Sequence, residues 1–420
     1  MRTEALIDGV AEAGVDRRFS RLLLYALAFL AALVPVDFVR VTQPWLYASL
    51  MSLSLGAVVS LWLISREKTM IAWPVIAFIF IVLFFNQIMR PNPIGFVTLL
   101  APIIVGIGVG VSARRPLAIL VGVLVVSSFT MAIESIESEH IFGALFGTDN
   151  YVAFSQDIFR ARGLIGQPVP AAMVALALAA GALVLSGNSR RHRGVIRIVI
   201  VFSTAVSVLA SGTRSAVLCS AFLALLILTL NYFRVRSRGV VFGRNGAWIV
   251  PLVAAGGLSL LFSVWSALSG QRVFSFGSLS GSASLDNRNY ASLVFNEWSE
   301  NCHGACLVFG SGARSLLETL SQGLGFRGFT TVDNLFLSLL WDFGVVSIFG
   351  IVSLTVVALH ILARSHDISK RAGAIIVISI LVSGFFYDAL YIRPVLLLFG
   401  VGIGLMSVKL PAYGEVRDVV

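Results

Sequence analysis

The chain of 420 residues is 57% hydrophobic and 12% charged, and its formal net charge is +10. A soluble domain carries about 25% charged residues, so this composition excludes an ordinary soluble enzyme. Apolar stretches long enough to cross a bilayer recur along the chain, and helices satisfy their own backbone in lipid. We therefore expect an all-α polytopic membrane protein with about 12 transmembrane helices.

The predicted spans follow a polar segment, residues 1–21, that we expect to be a cytoplasmic tail before a retained first span. In chain order they cover residues 22–36, 45–64, 71–88, 94–111, 117–133, 170–185, 195–209, 215–232, 247–265, 335–362, 372–387 and 394–408. The tenth span is long enough to hold a short interfacial helix that ends near Trp341 and a crossing that starts at Gly344.

The loops between these spans alternate in charge. Roughly two thirds of the 31 Lys and Arg residues fall on one side, and positive loops stay in the cytoplasm. Both termini are therefore predicted to be cytoplasmic, and the charge indicates topology rather than a surface for nucleic acid. The predicted division is a tail at 1–21, nine spans within 22–265 with an outer loop at 134–169, a large extracytoplasmic loop at 266–332, three spans within 333–408, and a tail at 409–420.

Motifs for cofactors are missing from the sequence. It has no P-loop, dinucleotide glycine fingerprint, HExxH or GxSxG, so we expect no cofactor and no ATP coupling. Cys302 and Cys306, in "NCHGAC", lie on a side that would be oxidising in a bacterial envelope; a disulfide and two free thiols both stay open. A zinc site with His303 would lack a fourth ligand, so we expect no metal.

Several arginines lie in predicted outer segments beside small or amide residues. A guanidinium stays charged and matches phosphate oxygens bidentately, so several of them converging would suit a diphosphate carried on a lipid. They are Arg162 in "RARGLIGQPVPAA", Arg214 in "ASGTRSAV", Arg288 in "SLDNRNY", Arg314 in "FGSGARS", Arg327 in "GFRGF" and Arg393 in "LYIRPV".

Plainer interpretations stand beside this one. An outer arginine can be an interfacial side chain that contacts lipid headgroups, above all Arg40, Arg90 and Arg160. The "SGT" before Arg214 is ordinary turn chemistry. Asp333, directly before an apolar helix, is either the helix N-cap or a group that accepts a proton. Asp342 and Asp388 are the acids that an ion-coupled transporter could use.

Four stretches resemble the O-antigen ligase / O-antigen polymerase superfamily of bacterial envelope glycosyltransferases. They are "VLASGTRSAVLCSAFLALLIL", "FGSGARS", "VDNLFLSLLWDFGVVSIFG" and "RGLIGQPVPAAMVALALA", between Arg162 and about Gly350. The resemblance implies a GT-C-like membrane fold. It also implies that Arg214 and Arg288 engage the diphosphate of an undecaprenyl-linked glycan, with Arg162 near the same cavity.

The implied reaction joins an acceptor hydroxyl to the anomeric carbon of the donor while the lipid diphosphate leaves. We expect Asp333, Arg288 and Arg214 to be catalytic. Further substrate-binding candidates are Arg162, Asn334, Arg314, Arg393 and Gln167. Ligases of the family commonly have His before the Asn, and Asp333 in that place favours a polymerase.

The expected setting is the bacterial inner membrane, with the site facing the periplasm. The expected partners are the undecaprenyl-diphosphate-linked oligosaccharide, a glycan acceptor, the lipid bilayer and a chain-length regulator or export protein, with no nucleic acid. Two alternatives stay open: an O-antigen ligase that transfers glycan to lipid A–core or another acceptor, and a non-enzymatic transporter of anionic lipids or glycolipids.

Overall fold

A computed structural model describes residues 72–89, 93–113, 115–141, 154–155, 158–188, 193–237, 293–321 and 334–407. These residues are mostly helical. Four of the helices are long and apolar enough to cross a membrane: Pro116–Glu137, Pro168–Leu185, Arg193–Ser211 and Leu335–Arg364. The protein is therefore a helical, membrane-embedded protein, as its composition predicts.

The helices follow the predicted spans closely. They are α1 (Ala72–Met89), α2 (Pro93–Ser112), α3 (Pro116–Glu137), α4 (Pro168–Leu185), α5 (Arg193–Ser211), α6 (Arg214–Ser237), α7 (293–301), α8 (Ala305–Phe309), α9 (Ser315–Ser321), α10 (Leu335–Arg364), α11 (Ile368–Ser383) and α12 (Arg393–Ser407). Nine of them match predicted spans within a few residues. The spans predicted at 22–36, 45–64 and 247–265 lie outside the described residues.

Helix α4 is the central helix of the described part of the chain. In α4, 83% of the residues are buried, whereas about a third or less are buried in each of the other three long apolar helices. The sequence "AAMVALALAAGALVL" gives it small side chains, which let neighbouring helices approach. Near its end, Gly181 packs against Ile376 of α11 and Leu120 of α3. Gly181 lies near the end of α4 and Leu120 near the start of α3, so α4 runs antiparallel to α3.

Glycines bring α2 and α12 together. Gly106 and Gly110 face Gly400 and Gly404, and a Cβ atom on any of the four would overlap backbone atoms of the opposite helix. This is the small-xxx-small spacing that allows close helix contact in lipid. The two helices are parallel, because Gly106 contacts Gly400 and Gly110, one turn later, contacts Gly404, also one turn later.

Large apolar side chains cover the outer faces of three helices. Val126 and Phe129 on α3, Phe202 on α5, and Phe349 and Val356 on α10 are each more than half exposed. Apolar faces of this extent are disfavoured in water and favoured against lipid tails. The exposed faces therefore mark the lipid-facing side of the helices.

Helix α10 is interrupted where the sequence predicts a boundary. Gly344 has φ +68° and ψ −170°, so the segment that begins at Leu335 and the crossing that follows are two helical pieces joined at a kink. A left-handed φ suits glycine because it has no Cβ atom. The first piece is capped by Asn334, whose side chain accepts hydrogen bonds from Phe336 N and Leu337 N.

One small departure from an all-α fold precedes α4. The strands β1 (Phe154–Ser155) and β2 (Ile158–Phe159) pair antiparallel, with Phe154 opposite Phe159. This hairpin, whose strands have two residues each, directly precedes the segment that contains Arg160 and Arg162.

Candidate functional site

The candidate residues lie at one end of the helix bundle. Helices α3, α5 and α11 end there, while α4, α6, α10 and α12 begin there. Contacts between Arg162 and Glu134, between Ala161 and Ala210, and between Leu335 and Gly384 bring these helix ends together. Two polar clusters occupy this end. We call them the Glu134 cluster (Glu134, His140 and Arg162) and the Asp342 cluster (Asp342, Asn86 and Tyr391).

In the Glu134 cluster, one carboxylate holds the segment that contains Arg162. Glu134 is fully buried, and its Oε2 accepts hydrogen bonds from the backbone N–H of Arg162 and of Gly163, both at 2.8 Å. His140 Nδ1 lies 3.5 Å from the same oxygen. Arg162 is itself only 1% exposed. A fully buried arginine is costly, and the carboxylate at its backbone supplies the opposite charge.

The charges of this cluster act on His140. Burial lowers the pKa of His140, and the positive charge of Arg162 lowers it further, while Glu134 opposes both effects. The ring of His140 also packs against Phe159, with ring centroids 4.8 Å apart. His140 is therefore held as a neutral side chain between an arginine and an aromatic ring.

The segment before Arg162 is hydrogen-bonded to the turn before Arg214. Ala161 N donates to Ala210 O, and Arg160 Nε donates to Ser211 O, both at 3.0 Å. The structure therefore brings two motifs that are about 50 residues apart in the sequence into direct contact. The guanidinium of Arg160 thus contacts the protein through its Nε, beside the interfacial role that the sequence allows for this residue.

Arg214 is the first residue of α6 and follows this turn directly. Gly212, with φ +60°, makes the turn, and the Arg160 side chain lies over it. The side chain of Arg214 lies outside the described residues. One turn into α6, Cys219 is close to Tyr387, which places this helix end beside the turn between α11 and α12.

In the Asp342 cluster, one carboxylate holds the glycine-rich loop of "FGSGARS". Asp342 is fully buried. Its Oδ2 accepts from Arg314 N at 2.7 Å, and its Oδ1 accepts from Leu316 N at 2.9 Å and from Ser315 Oγ at 3.0 Å. The hydroxyl of Tyr391 also donates to Oδ2. Asp342 thus supplies the acceptor that the N-terminus of α9 needs.

Asn86 fixes the other side of the same loop. Its Nδ2 donates to Asp342 O at 2.6 Å and to Phe309 O at 3.2 Å, and its Oδ1 accepts from Ala313 N at 2.7 Å. Asn86 is fully buried near the end of α1. The loop is therefore tied to α1 as well as to the kink of α10.

The loop and the kink fit together through two glycines. A Cβ atom on Gly310 would overlap the backbone of Asp342, and one on Gly344 would overlap Val308 O. Ser311 N donates to Trp341 O at 2.8 Å. These contacts give Asp342 a structural task, and sequence reasoning that treated it only as a candidate transporter acid missed that task.

Tyr391 stays protonated in this cluster. Burial raises its pKa well above the ordinary value, and the negative charge of Asp342 raises it further. The hydroxyl therefore remains a donor to the Asp342 carboxylate at physiological pH. This bond joins the short 3₁₀ turn at Ala389–Tyr391 to α10.

Asp388 is hydrogen-bonded to the first turn of α10, beside this cluster. Ser338, one helical turn after Asn334, donates to Asp388 Oδ1 at 2.6 Å, and Leu335 N donates to Gly384 O at 2.8 Å. Asp388 therefore lies beside the end of α10 that Asn334 caps. The helix cap is Asn334 itself, one residue after the Asp333 of the capping alternative.

The other predicted substrate-binding residues lie at the same end. Arg393 is 3% exposed at the start of α12, and Arg314 is half-buried with φ +64°. Gln167 is exposed and occupies the N-cap position of α4 without a side-chain capping bond. Asp333 and Arg288, and also Arg327, lie outside the described residues.

The structure decides between a disulfide and two free thiols, the two states that the sequence leaves open for Cys302 and Cys306. Cys302 and Cys306 form a disulfide, so their sulfurs are joined to each other. Within the described ranges, no three His, Cys, Asp or Glu side chains are grouped so as to hold a metal ion.

Sequence reasoning did not find Glu134, His140 or Asn86. Glu134 was available only as an acid at the end of a span, and nothing in the sequence distinguishes it from Glu137, which is exposed. Comparison of the chain with models of known protein families and with the curated proteins finds no match. A function must therefore be proposed from the residues and their contacts.

Proposed function

We propose that the protein is a membrane glycosyltransferase that uses a lipid-diphosphate-linked glycan as donor and extends a polysaccharide, as an O-antigen or exopolysaccharide polymerase does. The acceptor is the end of a glycan, and the carrier is an undecaprenyl diphosphate. The donor is already activated by its leaving group, so the reaction as proposed runs without a nucleotide.

One observation carries the proposal: residues 160–163 are hydrogen-bonded to the 210–213 turn, through Ala161 N to Ala210 O and Arg160 Nε to Ser211 O. The contact joins the segment that contains Arg162 to the turn that precedes Arg214. Guanidinium groups at the end of a membrane helix can bind the phosphate oxygens of a lipid. Arg162 and Arg393 are both buried at this end.

In the proposed reaction, the hydroxyl oxygen of the acceptor forms a bond to the anomeric carbon of the donor sugar. The bond from that carbon to the diphosphate oxygen breaks, and its electron pair leaves with the lipid diphosphate. Fixed guanidinium groups, assigned to Arg162, Arg214 and Arg288, stabilise the negative charge that grows on the leaving group. The hydroxyl proton passes to a carboxylate.

Asp333 is our first candidate for that carboxylate. Among the described acids, Asp388 is a second candidate, because it is partly exposed and accepts from Ser338 in the first turn of the helix that Asn334 caps. Asp333→Asn and Asp388→Asn, compared in one strain, would separate them. The variant that loses polymer while keeping its membrane abundance identifies the base.

The proposal includes a topology of 12 spans with both termini in the cytoplasm and the site on the periplasmic face of the bacterial inner membrane. The disulfide supports this orientation, because such bonds persist in oxidising compartments. It lies in the segment that leads into the glycine-rich loop, at the end of the bundle that holds both clusters.

Deletion of the gene, followed by analysis of carrier-linked glycans, tests the proposal. A polymerase deletion should leave single repeat units on the carrier lipid and no long chains. Long chains that stay on the carrier would indicate a ligase. An unchanged glycan profile would overturn the glycosyltransferase proposal.

A further inference from the structure

Helix α8 belongs to the predicted outer loop, yet it packs against two apolar helices of the bundle. Its residue Val308 lies against Gly344 at the kink of α10, where a Cβ atom on the glycine would overlap Val308 O. The ring of Phe309 stacks on Phe85 of α1, with ring centroids 4.8 Å apart. Asn86, the next residue of α1, donates to Phe309 O at 3.2 Å. Helix α8 therefore lies at the depth of the end of α1 and of the start of the α10 crossing.

The side chains that α8 leaves exposed are apolar. Leu307 is 43% exposed and Val308 is 40% exposed. A single exposed leucine or valine is ordinary on a protein surface in water, so the surroundings of these two decide what covers them.

The surroundings of Leu307 and Val308 are the lipid-facing surfaces of α1 and α10. On one side, the rings of Phe84 and Phe85 on α1 are both exposed, with their centroids 6.1 Å apart. On the other side, Val345 directly follows the kink that Val308 contacts, and it is exposed as well. The apolar surface of α8 is therefore continuous with the surface that α1 and α10 present to lipid tails. An apolar surface that spans three helices is disfavoured in water.

Polar side chains begin on the other side of the turn that precedes α8. The end of α7 and this turn expose the polar residues Ser299, Glu300, Asn301 and His303. Gly304, with φ +60°, lies in the turn, and the Cys302–Cys306 disulfide joins its two sides. The surface thus changes from polar to apolar within a few residues, as it does where a segment enters the membrane interface.

The backbone after α8 is suited to this depth. Irregular backbone in a membrane is tolerated where its polar groups are bonded within the protein. Gly310 N donates to Cys306 O at 2.7 Å, and Ser311 N donates to Trp341 O at 2.8 Å. Phe309 O accepts from Asn86, as described above. The end of α8 therefore needs no water for these backbone groups.

We infer that α8 is inserted into the bilayer at this end of the bundle, and that lipid acyl chains cover Leu307 and Val308. The predicted extracytoplasmic loop thus contains a segment that is embedded in the membrane. Insertion fixes the glycine-rich loop, which follows α8 directly, at the depth of the lipid headgroups. The inference goes beyond the proposed function and does not depend on it, although this depth suits a donor whose diphosphate lies among the headgroups.

Fluorescence quenching in the full-length protein tests the insertion. Leu307→Cys and Val308→Cys are each labelled with a small thiol-reactive fluorophore, and the protein is reconstituted in phosphatidylcholine nanodiscs. One quencher is a phosphatidylcholine that carries a nitroxide on its acyl chain near the headgroup, and the other is iodide in the water. The native background should be low, because Cys219 is buried and the other two cysteines form a disulfide.

Two further variants calibrate the measurement. Glu300→Cys, at the exposed end of α7, is the control for a label in water. Phe349→Cys, on the exposed face of α10, is the control for a label in lipid. Thermal unfolding of each labelled variant identifies any that is not folded, and the two positions on α8 provide independent measurements.

The labels on α8 should be quenched by the nitroxide lipid about as strongly as the label at Phe349→Cys. Iodide should quench them about fivefold less than it quenches the label at Glu300→Cys. Iodide quenching equal to that at Glu300→Cys would overturn the inference, because α8 would then lie in water. Weak quenching by both reagents would also overturn it, since a second protein chain rather than lipid would cover α8. Carrier-lipid analysis tests the proposed transferase activity separately.

Discussion

The Nε atom of Arg160 lies 3.0 Å from the carbonyl oxygen of Ser211. This bond joins the segment that carries Arg162 to the turn that precedes Arg214. Two arginine motifs that the sequence presents as separate are thereby held at one end of the helix bundle, as the proposed diphosphate site requires.

Removal of the Glu134 carboxylate should destabilise this arrangement. In Glu134→Ala the backbone N–H groups of Arg162 and Gly163 lose their shared acceptor. Two buried donors without partners should cost on the order of 3 kcal/mol, and thermal unfolding of the purified protein measures the loss. Glu137→Ala, an exposed acid on the same helix, is the control and should unfold as the wild type does. Equal melting temperatures for Glu134→Ala and Glu137→Ala would contradict this account of the cluster.

The stability should depend on pH through His140. Burial and the Arg162 charge lower its pKa below the ordinary value of about 6.5, so the folded protein favours the neutral form. Stability from such a group is present above the unfolded pKa and is lost as the pH falls toward the folded pKa. The melting temperature should therefore fall as the pH is lowered below about 6.5, and His140→Gln should reduce that fall.

The control for this experiment is His303→Gln, because His303 is exposed. It should keep the wild-type pH dependence. The explanation fails if the wild type and His140→Gln lose equal stability over the same pH interval.

Asp342→Asn should disrupt the glycine-rich loop. The carboxylate accepts from Arg314 N, Leu316 N and two hydroxyls, whereas an amide has one oxygen and would turn its NH₂ toward donors. At least one buried donor would be left without an acceptor, at a cost of about 1–3 kcal/mol. Melting temperature and the yield of folded protein both report the effect.

Asp367→Asn is the matched control for this substitution. Asp367 caps α11, where asparagine is as good a cap as aspartate, so its stability should change by less than about 0.5 kcal/mol. Similar losses of stability in Asp342→Asn and Asp367→Asn would show that the contacts of Asp342 contribute no more to stability than the cap of α11 does.

The proposed orientation can be read from thiol labelling in intact cells. Cys219 is buried and the other two cysteines form a disulfide, so the native background should be low. Glu300→Cys should react with a membrane-impermeant maleimide, because α7 belongs to the proposed periplasmic side. Gly194→Cys, exposed at the opposite end of α5, should react only after permeabilisation. The reverse pattern would invert the proposed topology.

Local hydropathy predicted the helices well because each span depends on its own residues. The spans predicted at 117–133 and 195–209 end within a few residues of α3 and α5. The kink at Gly344 was also predicted, since the apolar run is too long for one crossing. These features need no knowledge of the neighbouring helices.

The contacts of the site could not be predicted in the same way. Glu134 reaches a backbone segment 28 residues away, and Asn86 reaches Asp342 across 256 residues. Which acid turns inward is decided by packing between helices, and a single sequence does not encode that packing in any local pattern. The bond of Arg160 was hidden for the same reason, because its partner is a backbone carbonyl of a distant turn.

The central claim is that planar guanidinium groups bind a lipid diphosphate, and lysine substitution tests this claim most directly. Arg162→Lys and Arg214→Lys keep the charge but lose the planar fork, while Arg193→Lys, exposed at the opposite end of α5, is the control. Each variant is expressed in the deletion strain, its membrane abundance is measured, and the polysaccharide is quantified by length. We expect polymer formation to fall by about 10²–10³ in both site variants and to stay normal in the control. Near-normal polymer in Arg162→Lys and Arg214→Lys at wild-type abundance would contradict the account.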